Sequence, residues 1–592
     1  MKKYILVLFF VFGTFQVFSQ KKPKKETKKK DSIIEVVNVV TSYTPTIADA
    51  FKIKKNPKIV LSKNTKKKKL TYSIFSAPVA STFIPKSGVV KGIDVGKKER
   101  LFDNYLAVGY GNFNTPFIEA FLHQNQKFET DYGIYLKYIS SEDGVENTPL
   151  DNGYSNLNLG AYYMREERYF TWKIGGTVQQ QKYNWYGLPD ITFDDESIAS
   201  ILEEQTYGFY ELEGEIIFAD SYFKDIKASL SLFDDNFGSK EIGFSLKPNF
   251  KLPLDRISRS LKDLELNTSI EYLQGEFEQS YLNNNNVEYS FLNLGVNPIY
   301  RIAWKDFNIK LGAKMYLTSD IENSLTDFLA YPDVQITYPL ISSLANIYAG
   351  AGGDLHMNSF QSLSTENPFV SPTLFLTQTN EQYNLYGGIN GKFSSTVSFD
   401  FKASYKSDED RALFVRNNSK SDGVFNPIVA NDLNLLGFEY GNSFNVFYDD
   451  ITTLSIFGEV EIDVSKRLVI GGNVQANTYT TTFQQEAWNL PKMEGAVFGK
   501  YKNDKWYATA NVFFVGERQD LLYGGTFPST IAGIQTLDAF VDVNLNGGYH
   551  FNDFVSAFIK LNNVLGTDYE RYANFNVQGF QVLAGATYKF DF

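Results

Sequence analysis

Three histidines, His123, His356 and His550, are the only imidazoles in 592 residues, and the chain has no cysteine. Imidazole and thiolate are the common metal ligands and the common activators of a nucleophile, so their scarcity bounds the chemistry. No two of the histidines are spaced as a ligand pair, and no Gly-x-Ser-x-Gly elbow is present to expose a serine. Zero cysteine also excludes a disulfide scaffold, a thiolate zinc site, a cysteine nucleophile and a lipid anchor on an N-terminal Cys. The expectation is a protein that is not an enzyme and has no catalytic, metal or cofactor site.

What the chain does carry is aromatic surface and divided charge. It holds 51 Phe, 38 Tyr and 5 Trp, an unusual load for a soluble protein. Residues 20–100 contain 21 Lys and Arg against 6 Asp and Glu, a net of +15, whereas residues 101–592 contain 34 against 62, a net of −28. A short basic arm is joined to a long acidic body.

Met1–Gln20 begins with Lys2 and Lys3, continues through an apolar run to about Phe12, and ends with Val17 and Ser19 placed for cleavage before Gln20. This pattern predicts a secretory signal peptide over 1–19. The run is short for a membrane span and no second apolar span follows.

From about Asn104 onward the apolar period is two. Val582, Ala584, Ala586, Tyr588, Phe590 and Phe592 share one face of the last segment, while Gln581, Thr587, Lys589 and Asp591 share the other. The same alternation runs through Leu537 to Leu545, Trp506 to Phe514 and Val555 to Leu561, which predicts strands with one apolar and one polar face. Two kinds of connection separate them. Short polar turns fall near Lys127, Glu167, Tyr222, Ser260, Lys305, Ser342, Ser394, Ser465, Asn503 and Asn552. Longer connections alternate with these, clearest at Glu142–Asn152, Tyr186–Glu204, Glu278–Asn286, Leu355–Thr379, Ser407–Tyr448, Glu517–Gln535 and Gly566–Asn576. Tight turns on one side and long loops on the other are the plan of a transmembrane antiparallel outer-membrane β-barrel, with turns in the periplasm and loops outside. Ten short turns imply eleven hairpins and about 22 strands over 101–592, with both ends of the barrel periplasmic. The aromatic excess then has a cause, because such barrels carry aromatic girdles at both lipid boundaries. Phe592, closing an alternating strand with Tyr588 and Phe590, suits a chain inserted by the outer-membrane assembly machinery and held by outer-membrane lipid.

The segment Glu486 to Asp520, with Ala487-Trp488-Asn489-Leu490-Pro491 and Val515-Gly516-Glu517-Arg518, resembles the C-terminal barrel of TonB-dependent outer-membrane receptors of Bacteroidetes type. So does Ala557 to Leu565 (AFIKLNNVL), followed by Tyr569-Glu570 and Gln578-Gly579-Phe580. The resemblance implies a receptor-like barrel and says little about a substrate. The front departs from the family, whose plug domain exceeds a hundred residues; here about 80 lysine-rich residues, interrupted by Pro45, Pro57, Pro78 and Pro85, precede the first strand.

Within this arm, Glu35-Val36-Val37-Asn38-Val39-Val40-Thr41 resembles the family's TonB-contacting segment, which acts by adding a strand to a partner's sheet edge. Docking on another envelope protein or on the barrel's own rim uses the same chemistry. The lysine runs Lys21–Lys30 and Lys66–Lys69 read either as a solvated tail or as a surface drawn to anionic groups of lipid, barrel or partner. Nucleic acid is not an expected partner of a secreted chain. Ile74, Phe75, Val79 and Phe83 are more apolar than a linker requires, and they suggest a small lid over 71–95 at the wall or mouth of a wide barrel.

Two functions fit. The first is solute uptake across the outer membrane by a receptor-type barrel, energised or passive. The second is a structural or assembly subunit, lacking a plug, whose periplasmic arm recruits partners. Tyr183, Trp185, Tyr186 and Asn283–Asn286 in the outer loops could stack on and hydrogen-bond to sugars, or be ordinary loop surface.

Overall fold

A computed structural model describes residues 101–592 apart from 127–128, 220, 257–261, 342–343, 425–434, 525–529 and 592. The arm, with the segments 35–41 and 71–95, lies outside the described residues.

One antiparallel sheet of 23 hydrogen-bonded segments closes on itself. Two of these, Leu325–Pro332 and Val334–Ile341, both pair with Phe307–Asp320 and form one strand interrupted at Asp333, so the barrel has 22 strands. Closure is made by the first strand, Asn104–Gly111, against the last, Gln581–Phe590, in a register from Asn104 opposite Phe590 to Gly111 opposite Leu583. Tyr588 and Phe590 therefore sit in the seam, and Phe592 lies outside the described residues.

The period-two pattern sorts side chains as a barrel must. Ile174, Leu212, Leu230, Ile456, Val474 and Ile559 point outward and are exposed, giving a lipid-facing band. Exposed aromatics mark its edge at the turn end, where Tyr169, Tyr222, Trp304, Phe393, Trp506 and Phe551 lie beside short turns. Tyr110, Phe328 and Phe483 do the same at the loop end. No helix among the described residues is long and apolar enough to cross a membrane.

Inward-facing side chains are polar and pair across adjacent strands. Lys173 reaches Glu213 at 2.7 Å, Lys227 reaches Glu215 at 3.0 Å, Lys310 reaches Asp333 at 2.6 Å and Lys314 reaches Asp354 at 2.5 Å. Lys247 with Glu271 and Arg301 with Glu265 continue the series. Water in the lumen screens these pairs, so they tile the wall more than they stabilise it.

Two expectations need correction. The connection expected over Ser407–Tyr448 is shorter, because Val397–Arg416 and Phe444–Ser465 stay paired as far as Arg416 opposite Phe444. The run Asp408 to Arg411 hid this extension: it is polar on both faces and the register shifts there. Leu537 does not begin the strand that carries Leu545. It ends a separate hairpin, Arg518–Tyr523 with Ile531–Leu537, and is fully buried, while the barrel strand is Phe540–His550.

Candidate functional site

Three loops leave the wall far apart and meet over the lumen. They follow the strands Phe170–Asn184, Ala345–His356 and Val555–Asn562, so six to eight strands separate neighbouring loops around the ring. Each contributes one aromatic ring to a common contact. Phe369 and Phe575 stack with centroids 3.9 Å apart, and Tyr186 lies edge-on to both, at 5.7 Å and 5.0 Å. Rings stacked and edge-on add about 0.5–1.5 kcal/mol per pair beyond burial. Gly187 allows the approach, since a Cβ there would stand 2.5 Å from the Phe575 ring.

Around this triad the loop end is packed as a core. Trp185, Phe360, Phe438, Phe444, Tyr572 and Phe575 are buried in one cluster with wall residues Tyr207, Phe233, Phe277, Tyr289 and Phe291. Backbone polar groups entering such a core need partners, and side chains from other loops supply them. Trp185 Nε1 donates to the Phe369 carbonyl at 3.2 Å, Asn442 Nδ2 donates to the Trp185 carbonyl at 2.7 Å, and Tyr186 Oη donates to the Asn576 carbonyl at 2.7 Å. Asn574 Nδ2 donates to the Leu188 carbonyl at 2.8 Å, and Tyr572 Oη to the Glu366 carbonyl at 3.1 Å. One carboxylate ties the dome to the wall: Glu241 Oε2 accepts from Tyr289 Oη and from the Phe360 backbone N–H, each at 2.7 Å. The second bond holds the first turn of the short helix Phe360–Glu366, whose Ser359 cap forms a capping box with Ser362.

Tyr183, Trp185 and Tyr186 are thus fastened inside the dome, with Trp185 at 0% exposure, instead of standing on the loop surface as sugar contacts. Asn283–Asn286 stay exposed at a loop tip. Among the sequence-selected histidines, His123 pairs with Asp131 at 2.8 Å and His356 lies 3.7 Å from Glu381. The residues that sequence reasoning missed are Phe360, Phe369, Phe438 and Phe575. No local signal marks them, because their loops are no richer in aromatic residues than the chain as a whole.

Removing the Trp185 indole by Trp185→Ala should cost the dome about 3–5 kcal/mol, the range for a large aromatic lost from a packed core. Proteolysis of the loops should accelerate while the heat-modifiable gel shift of the folded barrel is kept. A second expectation concerns pH. Burial raises the Asp520 carboxyl above its ordinary range despite a hydrogen bond from Asn489 and the nearby Arg416 guanidinium, which oppose the rise, and burial raises Glu570 as well. A carboxyl whose folded pKa is raised favours the folded hairpin fully below its unfolded pKa, and that contribution is lost as pH rises through the folded value. Amide exchange over Arg518–Tyr523 should therefore be slower at about pH 5 than at about pH 8 after correction for intrinsic rates, and Asp520→Asn should flatten the difference.

No protein-family model matches the chain, and none of the curated proteins does. Solved structures do. The siderophore receptor PirA of Acinetobacter baumannii aligns with a TM-score of 0.60 at 11% identity, over 83% of this chain and 81% of that one. The ferripyoverdine receptor of the outer membrane of Pseudomonas aeruginosa gives 0.60 at 12%, over 83% and 72%. A variant of the ferric enterobactin receptor PfeA of Pseudomonas aeruginosa gives 0.57 at 10%, over 82% and 80%. At such identities the likeness carries the fold: a TonB-dependent-receptor-like barrel.

Proposed function

We propose that this chain is an outer-membrane barrel of receptor type that takes part in solute uptake, with the dome as its gate at the cell surface. The observation that carries the reading is the aromatic triad, in which three loops from distant parts of the wall close a wide polar lumen. A lumen lined with water-compatible groups serves passage, and a closure built on loops instead of strands can open without breaking the barrel. The loops 142–153 and 185–203 together carry nine carboxylates and no Lys or Arg. A face of that sign repels anions, which supports a neutral or cationic solute. We propose that Glu35–Thr41 adds a strand to a periplasmic partner, TonB being one that fits, and that 71–95 forms a lid at the turn end.

The dry packing of the dome also favours the second reading, a closed barrel that anchors an assembly. A deletion strain separates the two. Slower uptake of a neutral or cationic nutrient, restored by the intact gene, supports the gate. Unchanged uptake together with stoichiometric recovery of other envelope proteins from solubilised outer membrane overturns it in favour of the subunit.

A further inference from the structure

Asn489, Arg518 and Glu570 come from the motifs Ala487–Pro491, Val515–Arg518 and Tyr569-Glu570, and they meet at the hairpin that stands outside the wall. Arg518–Tyr523 and Ile531–Leu537 form a two-stranded sheet of their own. The wall strands on either side of it, Trp506–Val515 and Phe540–His550, pair directly as far as Val515 opposite Phe540. The hairpin is therefore an excursion of 516–539 from a closed ladder, and it can move without opening the wall. Its foot is held to the rim. Asp520 is fully buried, and its Oδ1 accepts from the backbone N–H of Arg416 at 3.2 Å and of Leu521 at 2.8 Å. The Gln519 carbonyl accepts from the Asn489 backbone N–H at 2.8 Å, and Leu521 shares a buried cluster with Leu413, Val415 and Trp488.

Arg518 reaches into the dome instead. Its side chain is buried, and its two terminal nitrogens donate to consecutive carbonyls, Nη2 to that of Glu570 at 2.6 Å and Nη1 to that of Arg571. These carbonyls belong to Glu570–Tyr572, one arm of a small two-stranded loop. The other arm, Phe575–Asn576, carries the Phe575 of the triad, and Tyr572 pairs with Phe575. The Phe540 ring closes the grip, with its centre 5.6 Å from the guanidinium carbon and stacked on Tyr569 at 3.9 Å. Burying a guanidinium is costly unless its donors are used. Here the planar fork spans two carbonyls in a row, which a single ammonium does not match.

We infer that Arg518 is a positioning residue of the gate, and that the hairpin is a strap clamping the Glu570–Asn576 loop so that Phe575 meets Phe369 and Tyr186. The strap is anchored to the rim by Asp520 and Leu521 and grips the loop through Arg518. Its outer side, with Leu522, Ile531 and Ile534 exposed, stands at the cell surface. Lifting it withdraws both donors from the loop at once while the ladder below stays closed, and the loss of two charge-assisted hydrogen bonds favours the open loop. The strap takes its role from the dome as gate, so grip and gate are read by different measurements.

The chain has no native cysteine, so one introduced thiol reports the loop. Ala573 is fully buried between the two arms. In the full-length protein in outer-membrane vesicles, the rate at which Ala573→Cys reacts with a maleimide is measured, and the native hairpin should keep it slow. Arg518→Ala should raise the rate at least about tenfold. Arg518→Lys, which keeps the charge and fills the site, should raise it nearly as much. Millimolar methylguanidinium should return the alanine variant toward the native rate and leave the lysine variant fast, which a general loss of packing would not do. Val415→Cys, at a fully buried position on the rim side, should stay slow throughout. An unchanged rate at Ala573→Cys in both variants overturns the strap. An equal rise at Val415→Cys overturns it too, because the whole loop end would then have loosened. If Arg518→Ala opens the loop while the bilayer current stays at the native level, the strap stands and the gate falls.

Discussion

Replacing Phe369 and Phe575 together by alanine converts a closed barrel into a conducting one. In planar bilayers the native protein should give no large resolved steps, and the double variant should open to steps typical of a wide barrel. Cells carrying it should become sensitive to antibiotics too large for ordinary porins. Phe369 and Phe575 are the stacked pair at the meeting point of the loops, and Phe575 is fully buried. Truncating a large aromatic in a core costs about 3–5 kcal/mol. Roughly 5.5 kcal/mol carries a two-state equilibrium from 1:99 to 99:1, so two truncations suffice even with the shortfall from additivity expected of rings in contact. Leu282→Ala, at a loop position 87% exposed, is the matched control and should leave the barrel closed.

The same experiment apportions closure between the dome and the arm. If the double variant stays closed and opens only when residues 21–96 are also removed, the dome and the arm obstruct in series. If it opens alone, the dome is the seal. Should removal of 21–96 from the native dome raise permeability, the lid proposed over 71–95 gains support; no rise leaves the loops as the obstruction.

The wall was legible and the dome was not, for a physical reason that particular residues make plain. Val582 to Phe590 alternate because one face meets lipid and the next meets water, and that contrast repeats at every strand within the apolar band. Ten short turns then count the hairpins. Above the band the contrast ends: at Asp408 to Arg411 both faces meet water or other loops, so the strand continues with no period to show it. The dome has no period at all. Trp185 is fixed by the Phe369 carbonyl 184 residues away and Tyr186 by the Asn576 carbonyl 390 residues away. Such partners leave no local trace, so an aromatic destined for a dry core looks the same in sequence as one that stacks on a sugar. Glu241 is hidden in the same way, since a carboxylate next to Lys240 reads as solvated surface until the Phe360 helix is seen to rest on it.

The assignment of faces makes the sharpest claim about stability, because one residue of translation separates lipid from water. Val474 lies mid-strand in Leu468–Thr481, 41% exposed, and Gln475 is the next residue, turned inward toward Asn477 at 3.4 Å. Val474→Lys places an ammonium near the middle of the hydrocarbon layer, at a cost of about 2–4 kcal/mol for a barrel. Gln475→Lys places the same group in lumen water, where Lys173, Lys227 and Lys310 already stand on other strands, and should change stability by less than about 0.5 kcal/mol. Denaturant unfolding of both variants in one lipid, followed by the heat-modifiable gel shift, measures the difference. Such a difference between neighbouring positions arises only in a closed barrel in a bilayer: in a soluble sheet of the same alternation, an exposed valine could become lysine at no cost. Equal loss at the two positions would mean that the apolar face packs on protein, and near-zero loss at both would mean that it meets water. A penalty confined to Val474 requires lipid on that face and polar space on the other.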